Sequence, residues 1–504
     1  LPATLAVFVA ALLASALVAD RVFERIPHVE DEHAYLFQGQ VFALGRLWAP
    51  TPEEPDFFSV PFVVDHDGRR FGKYPPGHAL ALALGVLLEH PWLVNPLAGA
   101  AALAGVVWLG AGLFGLGPAL LAGLLGLASP LFLLQSGSLL AHPTTLLAFV
   151  VFLLAWRRLE RGDGLGTALL GGIALALAFL ARPFTAVALA APWALFALWR
   201  AREAPWRPRL LALALASLAG PAGLAAYQAA LTGSPWQSTY TLYWPYDRPG
   251  FGPGVGVAGV HTIEQGWANV VENVDALRRW LFGWPGDLSL LPMALGLAWA
   301  LLALRPTAGR PLPDAARWAL LLAASGGSLV VAHVAYWTSG LMYGPRYIFE
   351  ALPALLLLSG QGVWRLGALA DWRRAPAAHP TSRRRRLGLA LALAVTVGLV
   401  LASVLTTLPA MLAEHYAWYD ASGRYLAAVR TAGLSRALVL VRERPGAWTT
   451  YGSVFPANDP LLRGPLVFAR DLGSANGWLR QRYPDLPVYV LEPDGRLWPL
   501  ARAP

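Results

Sequence analysis

Three consecutive carboxylates, Glu30, Asp31 and Glu32, follow the first long apolar stretch of the chain. Like charges at this spacing repel one another, so at least one of the three carboxyl groups gains proton affinity. A carboxylate in such a place can accept the proton of a hydroxyl group. The alternative is a solvated acidic cap on a helix that begins near His33, because acidic residues are common at helix starts. Taken alone, the triplet favours the cap.

A second candidate is Lys73, which is the only lysine in the sequence and precedes the pair Pro75-Pro76. Proline in the first turn of a helix loses no hydrogen bond, so the pair suits the start of a helix that re-enters a bilayer. A lysine there reaches a lipid phosphate at headgroup level; alternatively, it only extends its ammonium group to the membrane surface. Because carboxylates lie near one end of the 20–78 segment and a cation near the other, we predict a site for a charged lipid substrate.

Two arginines extend this candidate site. Arg182 precedes Pro183 between two apolar runs, and Arg346 precedes Tyr347 near the start of another. Arginine binds phosphate through two parallel N–H donors. Either arginine alone also fits an interfacial anchor. Together with Lys73 on the predicted outer face, they predict an anion-binding site.

The elements that must position these residues are apolar. The chain has 504 residues, of which 56% are hydrophobic and 14% charged. Apolar runs of about 20 residues, the length of a helix that crosses the ~30 Å core of a bilayer, recur through the first four fifths of the sequence. The net charge of +9 is spread between these runs, so nucleic acid is not a predicted partner and the lipid bilayer is. There is no cysteine, hence no disulfide and no cysteine metal site.

The distribution of charge predicts the orientation. Arginine-rich connections such as 200–209 and 364–386 indicate the cytoplasmic side, whereas the acidic loop 20–73 indicates the outer side. If residue 73 lies outside and Arg157 inside, the chain crosses the membrane an odd number of times between them. We therefore predict that the short segment Pro130–Leu140 is a thin or broken crossing, which brings the total to about 13 transmembrane helices.

The predicted architecture is an α-helical polytopic membrane protein with a small C-terminal α/β domain. Residues 1–409 form the transmembrane domain, in which 20–76 is the first outer, catalytic loop and 232–286 is a later outer loop. After Pro409 the composition becomes mixed and polar, and residues 410–504 are predicted to form an extracytoplasmic domain. Its predicted strands are 436–442, 465–470 and 488–491, and its predicted helix is 474–483.

Histidines and aromatic residues supply further candidates on the outer side. His261 and Glu32 are candidate ligands of a divalent metal ion, but no ligand spacing is diagnostic and hydrogen-bonded histidines are the alternative. Tyr243 and Trp244 are predicted to stack on sugar rings, whereas the other aromatics of the same outer loop fit an interfacial belt. The run from Tyr35 to Leu47 is predicted to be an amphipathic helix on the membrane surface.

Four short motifs occur in order along the membrane part: Asp31-Glu32-x-x-Tyr35, Lys73-x-Pro75-Pro76, Arg182-Pro183, and Arg346-Tyr347 followed by Leu352-Pro353-Ala354-Leu355. Together they resemble the GT-C superfamily of glycosyltransferases, in particular the protein O-mannosyltransferases and the lipid A aminoarabinose transferases. The resemblance covers about residues 1–410. It implies a GT-C fold, a polyprenyl-phosphate sugar donor, a first-loop aspartate as base and outward cations that hold the phosphate.

Roles follow from this resemblance residue by residue. Asp31 matches the catalytic aspartate and Glu32 the neighbouring acid. The predicted phosphate-binding residues are Lys73, Arg182, Arg346 and Tyr347. The predicted substrate-binding residues are Tyr35, Tyr74, His78, His142, Tyr243 and Trp244. The chain departs from the family pattern at His142, where many relatives have aspartate, and at Glu350, where proline is common.

We therefore predict an inverting glycosyltransferase of the inner cell membrane, with a polyprenyl-phosphate sugar as donor and an envelope glycan, lipid or protein as acceptor. Apart from a divalent metal ion, no cofactor is predicted. One alternative is a polymerase or ligase of lipid-linked glycans, which would be expected to place its main catalytic loop late in the chain. Another is a transporter or flippase, although the chain shows no internal repeat of the kind that many transporters have.

Overall fold

A computed structural model describes residues 2–304, 312–369 and 383–500, and most of them are helical. The helices are α1 (Pro2–Arg21), α2 (Glu30–Ala43), α3 (Pro76–Leu87), α4 (Val94–Phe114), α5 (Leu116–Leu127), α6 (Pro130–Gly137), α7 (His142–Glu160), α8 (Leu165–Ala181), α9 (Pro183–Arg200), α10 (Arg207–Ser217), α11 (Ala219–Thr232), α12 (Thr239–Tyr243), α13 (Ile263–Trp280), α14 (Leu291–Leu302), α15 (Asp314–Ala332), α16 (Leu352–Leu369), α17 (Arg383–Ala402), α18 (Leu408–His415), α19 (Arg424–Thr431), α20 (Thr449–Val454) and α21 (Asn476–Arg482). The strands are β1 (Ala49–Pro50), β2 (Val63–His66), β3 (Arg69–Gly72), β4 (Gly252–Pro253), β5 (Val260–His261), β6 (Ala437–Val441), β7 (Leu466–Arg470), β8 (Val488–Leu491) and β9 (Leu497–Pro499).

Within the described ranges, seven helical segments are long and apolar enough to cross a membrane. They are Pro2–Arg21, Pro91–Phe114, Pro183–Arg200, Ala204–Thr232, Asp314–Ala335, Arg346–Leu366 and Arg386–Asp420. Helices α3, α8 and α14 are apolar but shorter. The predicted helical, multi-pass membrane protein is confirmed at this level. The arginine-rich connections 305–317 and 364–386 lie partly outside the described residues.

The predicted crossing at Pro130–Leu140 corresponds to helix α6, which has eight residues. Eight helical residues are about 12 Å long, less than half of the ~30 Å hydrocarbon core. Helix α6 follows α5 at a bend of 61°, which is the geometry of either a broken span or a re-entrant loop. The helix is therefore interrupted where the sequence predicted it, while a separate crossing and the total of about 13 helices stay predictions.

Helix α16 is the centre of the membrane part, and its span Arg346–Leu366 is almost entirely buried. Two glycines allow neighbouring backbones to approach it closely. A methyl group on Gly362 would lie 1.9 Å from the carbonyl oxygen of Pro292, and one on Gly360 would lie 2.2 Å from that of Pro118. Helix α16 is therefore held between α5 and α14, which fixes the position of Arg346 at the start of this span.

The first outer loop returns to helix α2 through a β-hairpin. Strands β2 and β3 pair antiparallel, with Val63 opposite Gly72. The turn Asp67-Gly68 has positive φ at both residues, 47° and 73°. Such a turn matches the right-handed twist of the two strands. The hairpin thereby brings Gly72 and Lys73 back to α2.

Helix α2 is covered by protein on most of its surface, so the prediction of an amphipathic helix was wrong, while its location at the membrane surface stays a prediction. Ten of its 14 residues are buried. One face packs on α3, where a methyl group on Gly39 would lie 3.0 Å from a side-chain atom. The C-terminal region covers another face, since His33 Nε2 lies 2.8 Å from the carbonyl oxygen of Gly452. Polar residues of α2 that suggested a solvated face bind protein groups instead; Gln38 Oε1, for example, accepts the backbone N–H of Gly72 at 2.9 Å.

The C-terminal region contains a four-stranded sheet in the order β7-β6-β8-β9, in which β6 pairs parallel with β7 and β8. The predicted strands and helix are present as β6, β7, β8 and α21. This region shares a hydrophobic core with α2 and the first loop, where Phe37 and Val60 cluster with Tyr425. Helical structure continues past Pro409 to His415. The domain boundary at 409/410 and the extracytoplasmic location stay predictions.

Gly72→Ala is expected to destabilise the protein, because the new methyl group would lie 2.5 Å from the carbonyl oxygen of Ala34 in α2. The hairpin and α2 would have to separate, and overpacking of this kind costs about 1–3 kcal/mol. The melting temperature of the purified protein in detergent measures the effect. Gly477→Ala, which has open space around it, is the matched control. Equal melting temperatures for the two variants would contradict the expectation.

Candidate active site

A cavity of about 920 Å³ lies where the first outer loop meets the ends of several spans. Its polar wall includes Asp31 from α2, Lys73 before α3, Arg182 between α8 and α9, and Arg346 before α16. These residues are far apart in the chain; Asp31 and Arg346 are separated by 315 positions. The structure therefore brings four of the predicted site residues together.

Asp31 lies in the first turn of α2, and its carboxylate is shared by two donors. Its Oδ1 accepts a hydrogen bond of 2.8 Å from the Tyr74 hydroxyl and one of 3.1 Å from Arg346 Nη1. Burial alone would raise the pKa of Asp31, but Arg346 and the Tyr74 hydroxyl, with smaller contributions from Lys73 and Arg182, hold the pKa below its ordinary value. The carboxylate is therefore charged at neutral pH.

Lys73 is buried with a carboxylate and two aromatic faces around its ammonium group. Its Nζ lies 2.6 Å from Oδ2 of Asp247. It also lies 4.1 Å from the ring centroid of Phe62 and 4.2 Å from that of Trp244, within cation–π range. Burial lowers the pKa of Lys73, and the Asp247 carboxylate opposes that shift. The counter-ion thus favours the charged form of this buried lysine.

Arg182 is oriented by a buried acid from the turn that leads into α16. Its Nε lies 3.3 Å from Glu350 Oε1, and the same oxygen lies 3.0 Å from His142 Nδ1. Arg182 Nε also donates to the Thr185 hydroxyl at 3.2 Å. His142 and Glu350 are the two positions at which the sequence departs from the family it resembles, and here they are in contact. The two departures therefore form one arrangement that orients Arg182.

Another wall of the cavity is apolar and comes from the spans. It includes Phe179 in α8, Phe184 and Val187 in α9, and Leu224 in α11. Val187 is 58% exposed, and in a bilayer a span residue of that kind faces lipid. The cavity therefore joins charged groups to a lipid-facing apolar surface, which suits an amphiphile with an anionic head and a hydrocarbon tail.

The architecture matches that of known membrane proteins. ArnT of Cupriavidus metallidurans, in a crystal structure with bound undecaprenyl phosphate, aligns with a TM-score of 0.57 and 17% identity over 96% of this chain and 89% of that chain. The apo structure of ArnT aligns with a TM-score of 0.57 and 16% identity over 97% and 92% of the two chains. The chain has a GT-C fold.

A third structure with this fold is more distant. The oligosaccharyltransferase of Archaeoglobus fulgidus, in complex with Zn and sulfate, aligns with a TM-score of 0.50 and 13% identity over 96% of this chain and 67% of that chain. The sequence itself matches no family model and no curated protein. The predicted resemblance to the GT-C superfamily is therefore confirmed as a likeness of fold.

The remaining predicted phosphate-binding and substrate-binding residues divide into two layers. Tyr74, Trp244 and Tyr347 line the cavity, whereas Tyr35, His78, His142 and Tyr243 lie behind its wall. Tyr35, for example, stacks on Tyr74 with ring centroids 4.5 Å apart. His78 Nε2 lies 2.8 Å from the carbonyl oxygen of Leu139. The second layer thus supports the lining residues, and the structure does not place it in contact with the cavity.

Glu32 does not line the cavity, and both of its carboxylate oxygens accept hydrogen bonds from other parts of the protein. Its Oε1 accepts the backbone N–H of Leu139 at 2.7 Å, and its Oε2 accepts the N–H of His28 at 2.7 Å and the Tyr343 hydroxyl at 3.2 Å. Burial raises the pKa of Glu32 to about 7, while these donors favour its charged form. These hydrogen bonds attach α2 to the connection between α6 and α7, and the catalytic role of Glu32 stays a prediction.

The predicted metal ligands Glu32 and His261 do not share a site. His261 Nε2 lies 3.1 Å from the carbonyl oxygen of Val334, and its ring stacks on Phe251. Across the described ranges, no group of three histidine, cysteine, aspartate or glutamate side chains could hold a metal ion. Glu32 and His261 therefore do not fit the predicted metal site, and the use of a divalent metal ion stays a prediction.

Sequence reasoning missed Asp247 altogether. Besides its ion pair with Lys73, it accepts the indole N–H of Trp337 at 3.0 Å through Oδ1. The signal was an isolated acid directly after the aromatic run Tyr243–Tyr246, in which Tyr243 and Trp244 are predicted to stack on sugar rings. Glu350 was noted only as a departure from the family pattern, although an acid at the edge of a span is itself a functional signal.

Glu32→Gln is expected to lower stability and to spare activity. The new amide nitrogen would face N–H or O–H donors, and a buried polar group left unpaired costs about 1–3 kcal/mol. A lower melting temperature in detergent, with activity per folded molecule retained, is the expected result. Glu53→Gln, exposed in the same loop, is the control. A Glu32→Gln variant that melts like the wild type but is inactive would support the catalytic prediction.

Proposed function

We propose that this GT-C chain is an inverting membrane glycosyltransferase that moves a sugar from a polyprenyl-phosphate donor to an acceptor hydroxyl on the outer face of the cell membrane. The observation that carries the proposal is the cavity in which Asp31, Lys73, Arg182 and Arg346 adjoin an apolar wall from the spans. A polyprenyl phosphate is an amphiphile of the matching kind. ArnT, which shares the fold, has been crystallised with undecaprenyl phosphate bound.

The donor phosphate is proposed to lie against Lys73, Arg182 and Arg346. Guanidinium groups bind phosphate oxygens through paired N–H donors, and a lysine adds a point charge. The ring of Tyr347 is close to both arginines, with its centroid 5.7 Å from Arg182 Cζ and 5.3 Å from Arg346 Cζ. The tyrosine thus offers an aromatic face to both guanidinium groups. Trp244 lines the same cavity and offers a flat face for the sugar ring.

Each of these cations already has a carboxylate partner with which the phosphate must compete. The pairs are Lys73 with Asp247, Arg182 with Glu350, and Arg346 with Asp31. The third pair matters most for catalysis, because Arg346 helps to hold the pKa of Asp31 low. A phosphate that draws the guanidinium away from Asp31 raises that pKa and makes the carboxylate a stronger base. Donor binding and activation of the base are thereby coupled.

In the proposed step, Asp31 accepts the proton of the acceptor hydroxyl while the acceptor oxygen attacks the anomeric carbon from the side opposite the phosphate. The new carbon–oxygen bond forms as the bond from the anomeric carbon to the phosphate oxygen breaks. Polyprenyl phosphate leaves with that electron pair, and the configuration inverts. Preorganised cations stabilise the charge that develops on the leaving phosphate, which is often the largest catalytic contribution.

The experiment that tests this proposal separates transfer from transport. Purified protein in phosphatidylcholine vesicles is incubated with labelled polyprenyl-phosphate sugars and a cell-envelope fraction. Release of polyprenyl phosphate together with a labelled acceptor supports the proposal, and the identity of that acceptor separates single transfer from glycan polymerisation. Movement of intact donor across the bilayer without any release would overturn it in favour of a flippase.

Asp31→Asn is expected to reduce transfer by a factor of at least about 10², because the amide cannot accept the hydroxyl proton and general-base catalysis contributes about 10²–10⁴-fold. Transfer is measured in the vesicle assay above. Because Asp31→Asn also leaves the buried Arg346 without its counter-ion, a lower melting temperature is expected, and transfer is compared per folded molecule. Asp56→Asn, exposed in the same loop, is the control and should transfer normally. Near-wild-type transfer by Asp31→Asn would remove this residue from the mechanism.

Asp247→Asn is expected to shift the alkaline limit of phosphate binding to lower pH. Burial lowers the pKa of Lys73 and Asp247 raises it, so loss of the carboxylate lowers that pKa further. The protonated ammonium group binds the phosphate, and its contribution disappears as the pH rises through the pKa of Lys73. That loss therefore begins at lower pH in the variant. Binding of undecaprenyl phosphate, measured from neutral to alkaline pH, reports the shift.

The matched control for this experiment is Asp247→Asn in a Lys73→Arg background. Arginine stays protonated throughout the accessible range, so no shift of the alkaline limit is expected there. An equal shift in both backgrounds would contradict the assignment of the titrating group to Lys73.

A further inference from the structure

Two buried residues next to Arg182 have no role in the proposed reaction. Glu350 and His142 are fully buried, and neither lines the cavity. Arg182 does line it, and its side chain is 18% exposed. Glu350 Oε1 lies 3.3 Å from Arg182 Nε and 3.0 Å from His142 Nδ1. The guanidinium group therefore faces the cavity on one side and a closed pair of titratable groups on another.

The hydrogen bonds of this pair show which of its atoms are free to accept a proton. Glu350 Oε1 faces Arg182, which has only donors, so this oxygen is an acceptor. The N–H of its contact with His142 therefore belongs to His142 Nδ1, and Nε2 is the unprotonated nitrogen of the neutral ring. In the part of the chain that the structure describes, His142 Nε2 and Glu350 Oε2 are buried without a hydrogen-bond partner. Either atom can thus accept a proton.

The charged and titratable groups around the pair come from four other elements. Arg182 at the α8–α9 junction and Arg346 before α16 are the cations, and His78 in α3 and His333 after α15 are the titratable neighbours. Arg346 is already paired with Asp31 at 3.1 Å. Arg182 is therefore the cation that balances the carboxylate of the pair.

A phosphate bound at Arg182 changes this balance. One guanidinium group then serves two anions, the phosphate in the cavity and Glu350 beside it. An opposite charge favours the ionised form of a carboxyl group, and a second negative charge disfavours it. Glu350 cannot reach water, because it is fully buried at the start of the span Arg346–Leu366. A buried group in this position takes up a proton instead of remaining charged without a full counter-ion.

We propose that His142 and Glu350 are positioning residues of the donor site, and that together they take up one proton when the donor phosphate binds Arg182. This inference rests on the proposed function, because it requires a phosphate at Arg182. The proton belongs to the pair as a unit. Its uptake lets Arg182 bind the phosphate without leaving an uncompensated carboxylate inside the protein. Because the complex holds more protons than its free components, affinity for the donor rises as the pH falls.

Isothermal titration calorimetry measures this proton. The probe is the methyl ester of undecaprenyl phosphate, a phosphodiester that lacks the second ionisation of a phosphate monoester at about pH 6. It is titrated into the full-length protein in detergent, from neutral to mildly alkaline pH, in two buffers that differ in ionisation enthalpy. The difference in heat between the buffers gives the number of protons taken up per bound lipid.

Wild-type protein is expected to take up more protons than Glu350→Gln, by at least about half a proton per lipid at the pH where the difference is largest. The amide has no charge to neutralise, so the pair takes up none in the variant. Asp31 also gains proton affinity when the phosphate draws Arg346 away, but it does so in both proteins and cancels in the comparison. Asp56→Asn, exposed in the first outer loop, is the control and should match the wild type.

Arg182→Gln is the second variant and decides the question if Glu350→Gln fails to fold. Without the guanidinium group Glu350 is protonated before the lipid arrives, so the uptake is lost again, while Lys73 and Arg346 still bind the phosphate. Weaker binding with a wild-type proton count in either variant would overturn the inference, because a purely structural role of the pair gives that result, and it would leave the proposed function intact. Failure of the wild-type protein to bind the probe would overturn both.

Discussion

Charges that are buried at a membrane boundary must be paired, because an unpaired buried ion costs several kcal/mol. The cavity is built around three such pairs. Asp31 with Arg346 joins α2 to α16, Lys73 with Asp247 joins the start of α3 to the loop after α12, and Arg182 with Glu350 joins the α8–α9 junction to the start of α16. The groups that would attract a phosphate are thus the groups that hold the elements around the cavity together.

The pairs differ in how they would respond to an anion. Asp31 is on a buried helix and keeps the Tyr74 hydroxyl as a second partner at 2.8 Å, so it can lose Arg346 without losing its position. Asp247 lies in an irregular loop, where the indole of Trp337 is its other close partner at 3.0 Å. Glu350 is fully buried and contacts His142. A phosphate that binds the cations would therefore release Asp31, which is already oriented for chemistry. It would also release Asp247, which belongs to a loop, while Glu350 stays behind the cavity wall.

Residues that could do chemistry were predictable from sequence, but their partners were not. Asp31, Lys73 and Arg346 are recognisable because charged residues beside apolar runs are costly and therefore informative. Asp247 and Glu350 pair with cations across long sequence separations, and the packing of the spans decides which residues meet. That packing is hard to infer from helices that are apolar on every side, since no face is marked as the contact face.

For local structure, too, features that depend on nearby residues were predictable and features that depend on remote residues were not. Strands β6, β7 and β8 of the C-terminal region were predictable because short apolar runs between turn residues are a local signal, whereas β9 was not predicted. The burial of helix α2 was not predictable, because it depends on contacts such as that of His33 with Gly452, which lies 419 positions away. The contacts of Glu32 were not predictable for a related reason: its donors Leu139 and Tyr343 come from remote segments.

The C-terminal region helps to position Asp31, the candidate base, through its contacts with helix α2. It contacts α2 at two places, because the carbonyl oxygen of Gly452 meets His33 and that of Pro456 accepts from Gln40 Nε2 at 2.7 Å. Asp31 lies within one turn of His33, and its adjacent residue Glu32 is bonded to the membrane part. The helix is thus held from both sides, and the 3.1 Å contact of Asp31 with Arg346 depends on the membrane part and the C-terminal region together.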